Sequence, residues 1–451
     1  MKKLKQELQD RWLLYQFSNE ELFEKFDKWW ESFYCWFDPT ADSLHLWNFI
    51  GFMVAIHLMR RWNKYIALTW WATGMIWDPG WKDAERNFLS EEALLNNQNK
   101  ISKQIWNILE NLKSFTWDDF KYWFVNNKDF YTNMWYLDFL REVWKFITVN
   151  SMISKDTVKK RIEDPSKFIS YTEFSYQLLQ WYDFCKLFTE DDVKLQIWWQ
   201  DQWWNLVTWT ELIRKKYDQE AYVLTWPLIT DSTGKKFGKS EWNALWLDKN
   251  KTSPYKLYQY FLNSSDNDIE RYLKMLTLLD IKDIEKILLI HSKNPEDRFW
   301  QKLLAYKIVE IVHWTKSATY SFYLSWITFW WINDFVNKYS TSFKELNAPL
   351  LPKWNTEIVE FITNSSEESL MEVYNEWGWC DYNNENLFEI IVKSWLAISN
   401  SEARKTIESW AFYINEQKIS DTKYDFSNDF INNKILLLRK WKKNFKLIIK
   451  K

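Results

Sequence analysis

Tryptophan and glycine have exchanged their usual frequencies in this chain, which holds 35 Trp and only 6 Gly among 451 residues. An ordinary protein has roughly 7% Gly, which would be about 32 residues at this length. Glycine tolerates positive φ and a close approach to the backbone, and a bulky side chain is penalised in both situations. Several Trp nevertheless occupy places typical of glycine, such as the pairs Trp70-Trp71, Trp198-Trp199 and Trp330-Trp331. A chain with so few glycines has few ways of making tight turns.

Two hypotheses account for this exchange. The chain is also rich in Lys, Asn and Ile, as an AT-rich genome would make it. The first hypothesis is that the gene comes from a lineage that reads UGA as glycine, so that standard translation gives Trp at those codons. The second is a protein that is truly rich in Trp, such as a sugar-binding or membrane-surface module. Composition alone does not separate the two.

The charge balance and the cysteines exclude several other classes of protein. Charged residues make up 27% of the chain and the formal net charge is -2, which excludes a basic nucleic-acid-coating protein and an acidic tail. Cys35, Cys185 and Cys380 are too widely spaced for a disulfide framework or a metal cluster. The N-terminus lacks an apolar signal core, and no run of about 18 apolar residues spans a membrane. We expect a reduced, cytoplasmic protein with no metal site.

Hydrophobic periodicity predicts a parallel sheet in the first part of the chain. Residues 1–30 have apolar residues at helical spacing and predict a helix. Residues 34–37 predict a short strand, 46–59 a helix, and KYIAL a buried strand that ends in a Trp-Trp-Ala-Thr-Gly turn. Strand, turn, helix, strand and turn in this order are typical of a βαβ unit.

The rest of the chain changes character twice. Residues 165–250 repeat the strand and helix alternation, and residues 255 to about 340 indicate helices. Residues 341–384 are mixed and polar, which is typical of a linker, and the chain is compact again from about 385. It ends in a basic stretch comprising Arg439, Lys440, Lys442, Lys443, Lys446, Lys450 and Lys451. Taken alone, this stretch fits a solvated tail as well as a binding surface.

The segment YCWFDPTADSLHLWN at 34–48 places His45 and Asn48 at the start of the predicted helix. The N-terminus of a helix offers unpaired N–H groups and a positive dipole end, which suit a phosphate group. Trp47 would block the approach of a phosphate to the backbone there, whereas glycine would permit it. A lone His at this place is more often a cap or a surface residue, so both interpretations stay open on this segment alone.

The segment TGKKFGKSEW at 233–242 has two lysines three residues apart, Lys236 and Lys239, in a polar loop. Two such cations can clamp a polyanion. The segment is not a Walker A loop, because that motif requires Gly five residues before Gly238, where this chain has Thr233. In isolation, a solvated basic loop is the simpler interpretation.

Together, these two segments resemble the HIGH and KMSKS signatures of class I aminoacyl-tRNA synthetases. The resemblance narrows to the bacterial-type tyrosyl-tRNA synthetases, since six segments look like that family in order and spacing. They are YCWFDPTADSLHLWN, ALTWWATGMIWDP, TEFSYQLLQWYDF, LQIWWQDQWWN, KFGKS and ALWLDKNKTSPYKLYQYFLN. The run SWLAISNSEARKTIESWAFYINEQKI also resembles the small C-terminal RNA-binding domain of the family.

The resemblance favours the first hypothesis for the tryptophans. Many of them fall where the family typically has Gly: Trp36, Trp47, Trp62, Trp70, Trp71, Trp77, Trp81, Trp144, Trp198, Trp199, Trp204, Trp242, Trp395, Trp410 and Trp441. Trp203 and Trp246 fall where the family typically has Trp, Trp181 falls on Ala or Gly, and Trp135 and Trp226 are ambiguous. A Trp-rich binding module would not put its aromatic residues at the glycines of another family.

The family's architecture is implied as well. It consists of an α/β, Rossmann-like parallel-sheet catalytic domain over 1–251, a helical tRNA-binding domain over 252–345, a linker over 346–384 and a small α+β RNA-binding domain over 385–451. The resemblance further implies a homodimer whose interface lies at about 120–165. From its pattern alone, the run LDFLREVWKFITVN in that segment is an ordinary buried helix.

The activity implied is that of a tyrosine–tRNA ligase, which activates tyrosine with ATP and its Mg2+ and then transfers the tyrosyl group to the 3' end of tRNA(Tyr). Tyr34 and Asp183 match the contacts to the substrate phenol, and Asp78, Tyr176 and Gln180 match those to its ammonium group. The matching catalytic positions are Thr40, His45, Asn48, Lys82, Arg86, Lys236 and Lys239. The further substrate- and ATP-binding positions are Gln196, Gln202, Cys35, Trp36, Asp38, Trp47, Asp201 and Lys239. Asn48 departs from the second His of the HIGH signature, and we expect retained function.

Three other interpretations compete with this one. A tryptophanyl-tRNA synthetase is disfavoured by Tyr34, by Asp183 and by the C-terminal domain. A non-catalytic RNA-binding or splicing protein on the same fold is disfavoured by the intact Asp78, His45 and lysines 236 and 239. The third interpretation is that the protein itself carries Trp at the positions where the family typically has Gly. The nucleotide site of such a protein would be filled with indole side chains.

Overall fold

The computed structural model describes residues 2–28, 30–75, 89–116, 118–153, 156–164, 169–232, 234, 244–292, 295–327, 379–409, 411–414, 417–430, 435–440 and 444–450. The chain divides into two compact units, Met1–Thr315 and Lys316–Lys451. The predicted site residues Asp78, Lys82, Arg86, Lys236 and Lys239 lie outside the described residues. The domain boundaries at 251, 345 and 384 stay predictions.

A six-stranded sheet forms the centre of the first unit. Its strands are β1 (Gln16–Phe17), β2 (Ser32–Phe37), β3 (Lys64–Thr69), β4 (Lys121–Asn126), β5 (Val193–Trp199) and β6 (Tyr222–Trp226). They lie in the order β1-β6-β5-β2-β3-β4, and every neighbouring pair is parallel except β1 with β6. The predicted parallel sheet and the strands at 34–37 and 64–68 are therefore confirmed.

Helices connect the strands and continue beyond them. They are α1 (Leu4–Asp10), α2 (Glu21–Asp27), α3 (Leu46–Met59), α4 (Trp71–Gly74), α5 (Glu91–Thr116), α6 (Lys128–Tyr131), α7 (Tyr136–Glu142), α8 (Val149–Ile153), α9 (Asp156–Glu163), α10 (Tyr171–Glu190), α11 (Trp203–Tyr217), α12 (Pro254–Leu262), α13 (Asp266–Leu276), α14 (Ile281–His291) and α15 (Phe299–Ile327). Short 3-10 turns lie at Trp144–Phe146, Gln200–Gln202 and Pro295–Asp297. None of the helices in the described part of the chain is long and apolar enough to cross a membrane.

The order of the strands places a crevice between β2 and β5. From β2 the chain continues to β3 and β4 on one side, and β5 and β6 lie on the other side. The connections that leave β2 and β5 therefore diverge. In open parallel sheets, ligands bind where connections diverge, outside the carboxyl ends of the strands. The predicted residues at 36–48 and 198–202 lie at the ends of these two strands and in the segments that follow them.

The helix predicted over residues 1–30 is wrong in its extent. The structure has α1 and α2 with the short strand β1 between them. The helix stops because Trp12 has φ 59°, in the left-handed region. The N–H of Trp12 then donates to the carbonyl of Gln9, and that of Leu13 to the carbonyl of Leu8. These two bonds form the Schellman ending of a helix, whose left-handed residue is usually Gly.

Tryptophan is concentrated at left-handed backbone positions throughout the described residues. Nine non-glycine residues have positive φ, and five of them are Trp: Trp12, Trp30, Trp62, Trp314 and Trp395. The left-handed conformation costs a non-glycine residue roughly 1–2 kcal/mol, and only Asn and Asp otherwise adopt it often. Trp395 ends its helix as Trp12 does, since its N–H donates to Val392 and that of Leu396 donates to Ile391.

The second unit contains a smaller α+β fold. Its strands are β7 (Trp379–Tyr382), β8 (Phe412–Ile414), β9 (Gln417–Ile419), β10 (Ile435–Lys440) and β11 (Asn444–Lys450), in the order β7-β11-β10-β8-β9. Helices α16 (Leu387–Lys393) and α17 (Asn400–Glu408) pack with them around a buried apolar core. Asn386 and Ser399 cap the two helices through their side-chain oxygens.

Candidate active site

Two buried side chains on neighbouring strands form one wall of the crevice. Tyr34 in β2 lies in register with Gln196 in β5, and the Tyr34 hydroxyl donates to Gln196 Oε1 over 3.3 Å. Gln196 Nε2 in turn donates to the carbonyl of Leu206 at 2.8 Å. The ring of Tyr34 stacks on Phe184 of α10, with 5.5 Å between the ring centroids. Tyr34 is thereby fixed between the sheet and α10.

Asp183 is a fully buried carboxyl group on α10. Its side chain accepts hydrogen bonds from Asn127 Nδ2 at 3.0 Å and from the Tyr131 hydroxyl at 2.8 Å. Burial raises the pKa of Asp183 to about 8, and these two hydrogen bonds act in the opposite direction. Burial raises the pKa of Tyr34 well above its usual value, and the charge of Asp183 adds to this effect. The structure therefore brings the two predicted phenol contacts together.

A second polar pair lies one turn earlier on α10. Gln180 Nε2 donates to the Tyr176 hydroxyl over 2.8 Å, and both residues are buried. Gln180 Oε1 is buried and has no hydrogen-bond partner among the described residues. An orphaned buried acceptor is unfavourable unless a ligand satisfies it. An amide oxygen beside a hydroxyl suits an ammonium group, which has three donors and no acceptor.

His45, at the start of α3, contacts Trp246 in the loop that precedes residue 248. His45 is the N-cap of α3, and Asn48 Oδ1 accepts its backbone N–H and faces its Nδ1, each over 3.1 Å. The His45 ring stacks on Trp246, with centroids 4.6 Å apart, and a β-bridge links the two residues. Burial lowers the pKa of His45, and the bond to Asn48 partly opposes this.

The remaining described site residues border the same strand ends. Cys35 is buried in β2, and burial raises the pKa of its thiol well above the usual value. Asp38 and Thr40 are exposed in the segment after β2. Asp201 is exposed in the turn after β5, where Gln202 accepts a hydrogen bond from Asn205 at 2.7 Å.

Indole rings fill the crevice between these groups. Trp36 at the end of β2 stacks between Trp70, just after β3, and Trp198 in β5, at centroid distances of 4.7 and 4.1 Å. The rings of Trp47 and Trp199 pack edge to face, with 4.7 Å between their centroids. Trp36, Trp70 and Trp199 are all buried, and the buried Nε1 of Trp70 has no hydrogen-bond partner among the described residues. An unpaired buried donor costs roughly 1–3 kcal/mol.

Two residues of this site were missed by the sequence analysis, which assigned their segment to a dimer interface. Asn127 follows β4 directly, and Tyr131 ends α6. The side chain of Asn127 accepts from the Ala72 N–H and donates to both Thr73 and Asp183. The signal that could have found Asn127 is the pair of Asn after the strand pattern KYWFV, because carboxyl ends of parallel strands converge at one edge.

Family models match both units of the chain. The model described as tRNA synthetases class I (W and Y) matches residues 31–322. The model described as the tyrosine–tRNA ligase SYY-like C-terminal domain matches residues 378–448. The first match covers β2 to β6, the crevice and α10, and the second covers the two helices and the five-stranded sheet as far as residue 448.

Similar proteins agree with these matches. The chain is 40% identical over 441 residues to the tyrosine–tRNA ligase of Streptococcus agalactiae serotype Ia, covering 97% of each chain. It is 39% identical to the tyrosine–tRNA ligase of Streptococcus mutans, covering 98% of each. A C-terminally truncated mitochondrial tyrosyl-tRNA synthetase from Aspergillus nidulans has a TM-score of 0.65 and 26% identity over 72% of this chain and 94% of its own. The tryptophanyl-tRNA synthetase of Plasmodium falciparum, at 13% identity and a TM-score of 0.50 over 70% of this chain and 88% of its own, shows only the shared fold. The chain belongs to the class I tyrosyl-tRNA synthetases.

Proposed function

We propose that this chain activates tyrosine with ATP and transfers the tyrosyl group to tRNA(Tyr). The observation that carries this proposal is the buried pair Tyr34 and Asp183, with the Tyr176–Gln180 pair one turn away on α10. Asp183 accepts the hydrogen of the substrate phenol, and Gln180 Oε1 accepts from its ammonium group. Phenylalanine would leave the remaining lone pairs of the buried Asp183 without a donor, and tyrosyl-tRNA synthetases are themselves the standard example of this kind of discrimination.

The reaction needs positioning and charge stabilisation rather than a protein nucleophile. The carboxylate of tyrosine attacks the α-phosphate of ATP, the bond to the β-phosphate oxygen breaks, and pyrophosphate leaves with its Mg2+. Thr40, His45 and Asn48 are proposed to contact the departing phosphates, together with the cations Lys82, Arg86, Lys236 and Lys239. Cations aimed at developing phosphate charge act mainly in the transition state. Cys35, Asp38, Asp201, Gln196 and Gln202 are proposed to border the ribose and the tyrosine carboxylate.

Glycine is proposed to stand at many of the tryptophan positions in the protein that the native host makes. The stack of Trp36, Trp70 and Trp198 supports this proposal, because it fills the crevice that the nucleotide must enter. The glycine-decoded chain is defined as the chain with Gly at 36, 47, 62, 70, 71, 77, 81, 144, 198, 199, 204, 242, 395, 410 and 441, and with Trp203 and Trp246 retained.

Backbone conformation supports the same proposal away from the crevice. Trp62 and Trp395 belong to the glycine-decoded set, and both have positive φ. Trp395 is 84% exposed, so no packing of its ring repays the left-handed conformation. Trp12 ends α1 in the same conformation, which adds it to the candidate glycines.

Protein from the native host is expected to carry glycine at the candidate positions. Peptides that span residues 66–82 are expected to be lighter than the standard translation by the Trp-to-Gly difference at 70, 71, 77 and 81. Tandem mass spectrometry reads each position directly, and positions 203 and 246, which should be read as Trp, are the internal controls. Tryptophan at 70 and 71 in these spectra would overturn the decoding proposal.

The glycine-decoded chain is expected to catalyse ATP–pyrophosphate exchange with tyrosine, and not with phenylalanine or tryptophan. Phenylalanine is expected to be rejected because it leaves the remaining lone pairs of the buried Asp183 carboxyl group without a donor. Exchange with tryptophan would instead support a tryptophanyl-tRNA synthetase. RNA binding without any exchange would support a non-catalytic RNA-binding protein.

A homodimer is also proposed, through the segment at about 120–165. The expectation of a buried helix there is wrong, since α7 has Tyr136 59% and Leu137 52% exposed. Trp135, Val149 and Ile162 are exposed in the same segment, and β4 is an edge strand of the sheet. Exposed apolar surface of this kind is typical of an interface.

The proposed contacts to tRNA in the second unit are basic residues on β10 and β11, namely Arg439, Lys440, Lys446 and Lys450.

A further inference from the structure

Asp183 is held by two donors that come from outside its own helix. Asn127 Nδ2 donates to Oδ2 at 3.0 Å, and the Tyr131 hydroxyl donates to Oδ1 at 2.8 Å. Asn127 is itself held by Ala72 and Thr73 through its side chain. Each carboxylate oxygen has two lone pairs. One lone pair on each oxygen is therefore occupied, and the others remain for a substrate hydroxyl.

Tyr131 has a second acceptor within reach. Its hydroxyl lies 3.0 Å from the carbonyl oxygen of Leu179 as well as 2.8 Å from Asp183 Oδ1. A hydroxyl has one hydrogen and two lone pairs, and it rotates to suit its partners. When Asp183 is ionised, Tyr131 donates to it. When Asp183 carries a proton on Oδ1, that proton is donated to Tyr131, whose own hydrogen turns to Leu179.

We propose that Tyr131 is a positioning residue for tyrosine selection, which keeps the Asp183 carboxyl group oriented toward the substrate phenol in both of its protonation states. This inference rests on the proposed function, because it requires that Asp183 receives the phenol hydroxyl. Tyr131 acts through Asp183 and has no direct part in the chemistry. Asn127 holds the other oxygen and cannot take this role, since its amide nitrogen only donates.

The Tyr131 hydroxyl influences the ionisation of Asp183 because of the other groups around this carboxyl group. Among the described residues, the titratable groups that face Asp183 are Tyr34 from β2, Tyr131 from α6, and Tyr182 and Cys185 from α10. Burial raises the pKa of each of these four groups, so all are neutral at pH 7 and none supplies a positive charge. The hydrogen bond from Tyr131 favours the ionised form of Asp183. Removing this hydroxyl therefore raises the pKa of Asp183 further.

The test is Tyr131→Phe in the full-length glycine-decoded chain. We expect KM for tyrosine to rise roughly tenfold, because Asp183 is then less often ionised and less firmly oriented toward the substrate phenol. KM for ATP and kcat at saturating tyrosine are expected to stay within about twofold, because the phosphates are elsewhere. Tyrosine affinity is expected to increase with pH as Asp183 ionises, and the midpoint of this increase should move to higher pH in the variant.

Tyr182→Phe is the matched control. Its ring lies 5.5 Å from that of Tyr131, and its hydroxyl makes no hydrogen bond to Asp183. It should leave the tyrosine KM and the pH midpoint unchanged. An equal loss for tyrosine and ATP in Tyr131→Phe, or an unmoved pH midpoint, would overturn the inference and leave the proposed function intact. A glycine-decoded parent without tyrosine-dependent exchange would overturn both.

Discussion

Tryptophan returned to position 36 of the glycine-decoded chain is expected to abolish tyrosine-dependent ATP–pyrophosphate exchange. Its indole lies between positions 70 and 198 at the carboxyl ends of adjacent strands, where the connections diverge and a nucleotide must enter. Steric exclusion of ATP removes binding itself, so no concentration of tyrosine should restore the rate. Exchange assays on the decoded chain and on single variants with Trp at 36, 70 or 198 measure this effect.

Tryptophan returned to position 395 is the control for this series. Trp395 is 84% exposed in the second unit and has φ 60°. It should leave exchange unchanged and lower the stability of its unit by roughly 1–2 kcal/mol, the usual cost of a left-handed non-glycine residue. Full exchange activity with Trp at position 36 would contradict the crevice assignment.

Asp183→Asn is expected to weaken tyrosine binding strongly and to leave ATP binding near normal. Above pH 8, where Asp183 is ionised, its hydrogen bond to the phenol contributes roughly 1.5–3 kcal/mol, which corresponds to about 10- to 150-fold in affinity. Equilibrium binding of each substrate to the glycine-decoded variant measures the two effects separately. Asp192→Asn is the control, since the Asp192 side chain is 80% exposed and asparagine tolerates its φ of 52°. A loss of ATP affinity with normal tyrosine affinity would show that Asp183 is misassigned.

The same substitution is expected to preserve or increase thermal stability near pH 8. Burial raises the folded-state pKa of Asp183 from 3.8 to about 8, so ionisation is opposed in the folded protein. The stabilisation that comes from holding a proton is present at low pH and is lost as the pH rises through about 8. Asparagine has no charge to bury, and its amide nitrogen can donate to Tyr131 while Tyr131 donates to Leu179. If Asp183→Asn weakens tyrosine binding while the protein stays folded, the loss of affinity comes from lost recognition of tyrosine and not from lost stability.

Local patterns were sufficient for the parallel sheet and for the residues of the phenol site. The strand at 34–37 and the helix at 46–59 were predicted because a short apolar run indicates a buried strand and a long apolar run a buried helix, and α3 is buried over nearly its whole length. Tyr34 and Asp183 were found because each lies in a segment that resembles the family. The helix over 1–30 was wrong because a left-handed turn at residue 12 ends it, and a side-chain pattern does not report φ.

What the sequence determined by itself is the family, the central strands and helices, and the unusual frequencies of Trp and Gly, since each of these is contained in local composition or spacing. The tertiary structure decided which side chains, distant in the sequence, form hydrogen bonds with the carboxyl group of Asp183. Asn127 and Tyr131 lie 56 and 52 residues before Asp183 and meet it only because β4 and α6 pack beside α10. It also decided that residues 36, 70 and 198, from three separate segments, form one stack. Hydrogen bonds and steric contacts act over a few ångströms in space, and spacing along a chain does not measure that distance.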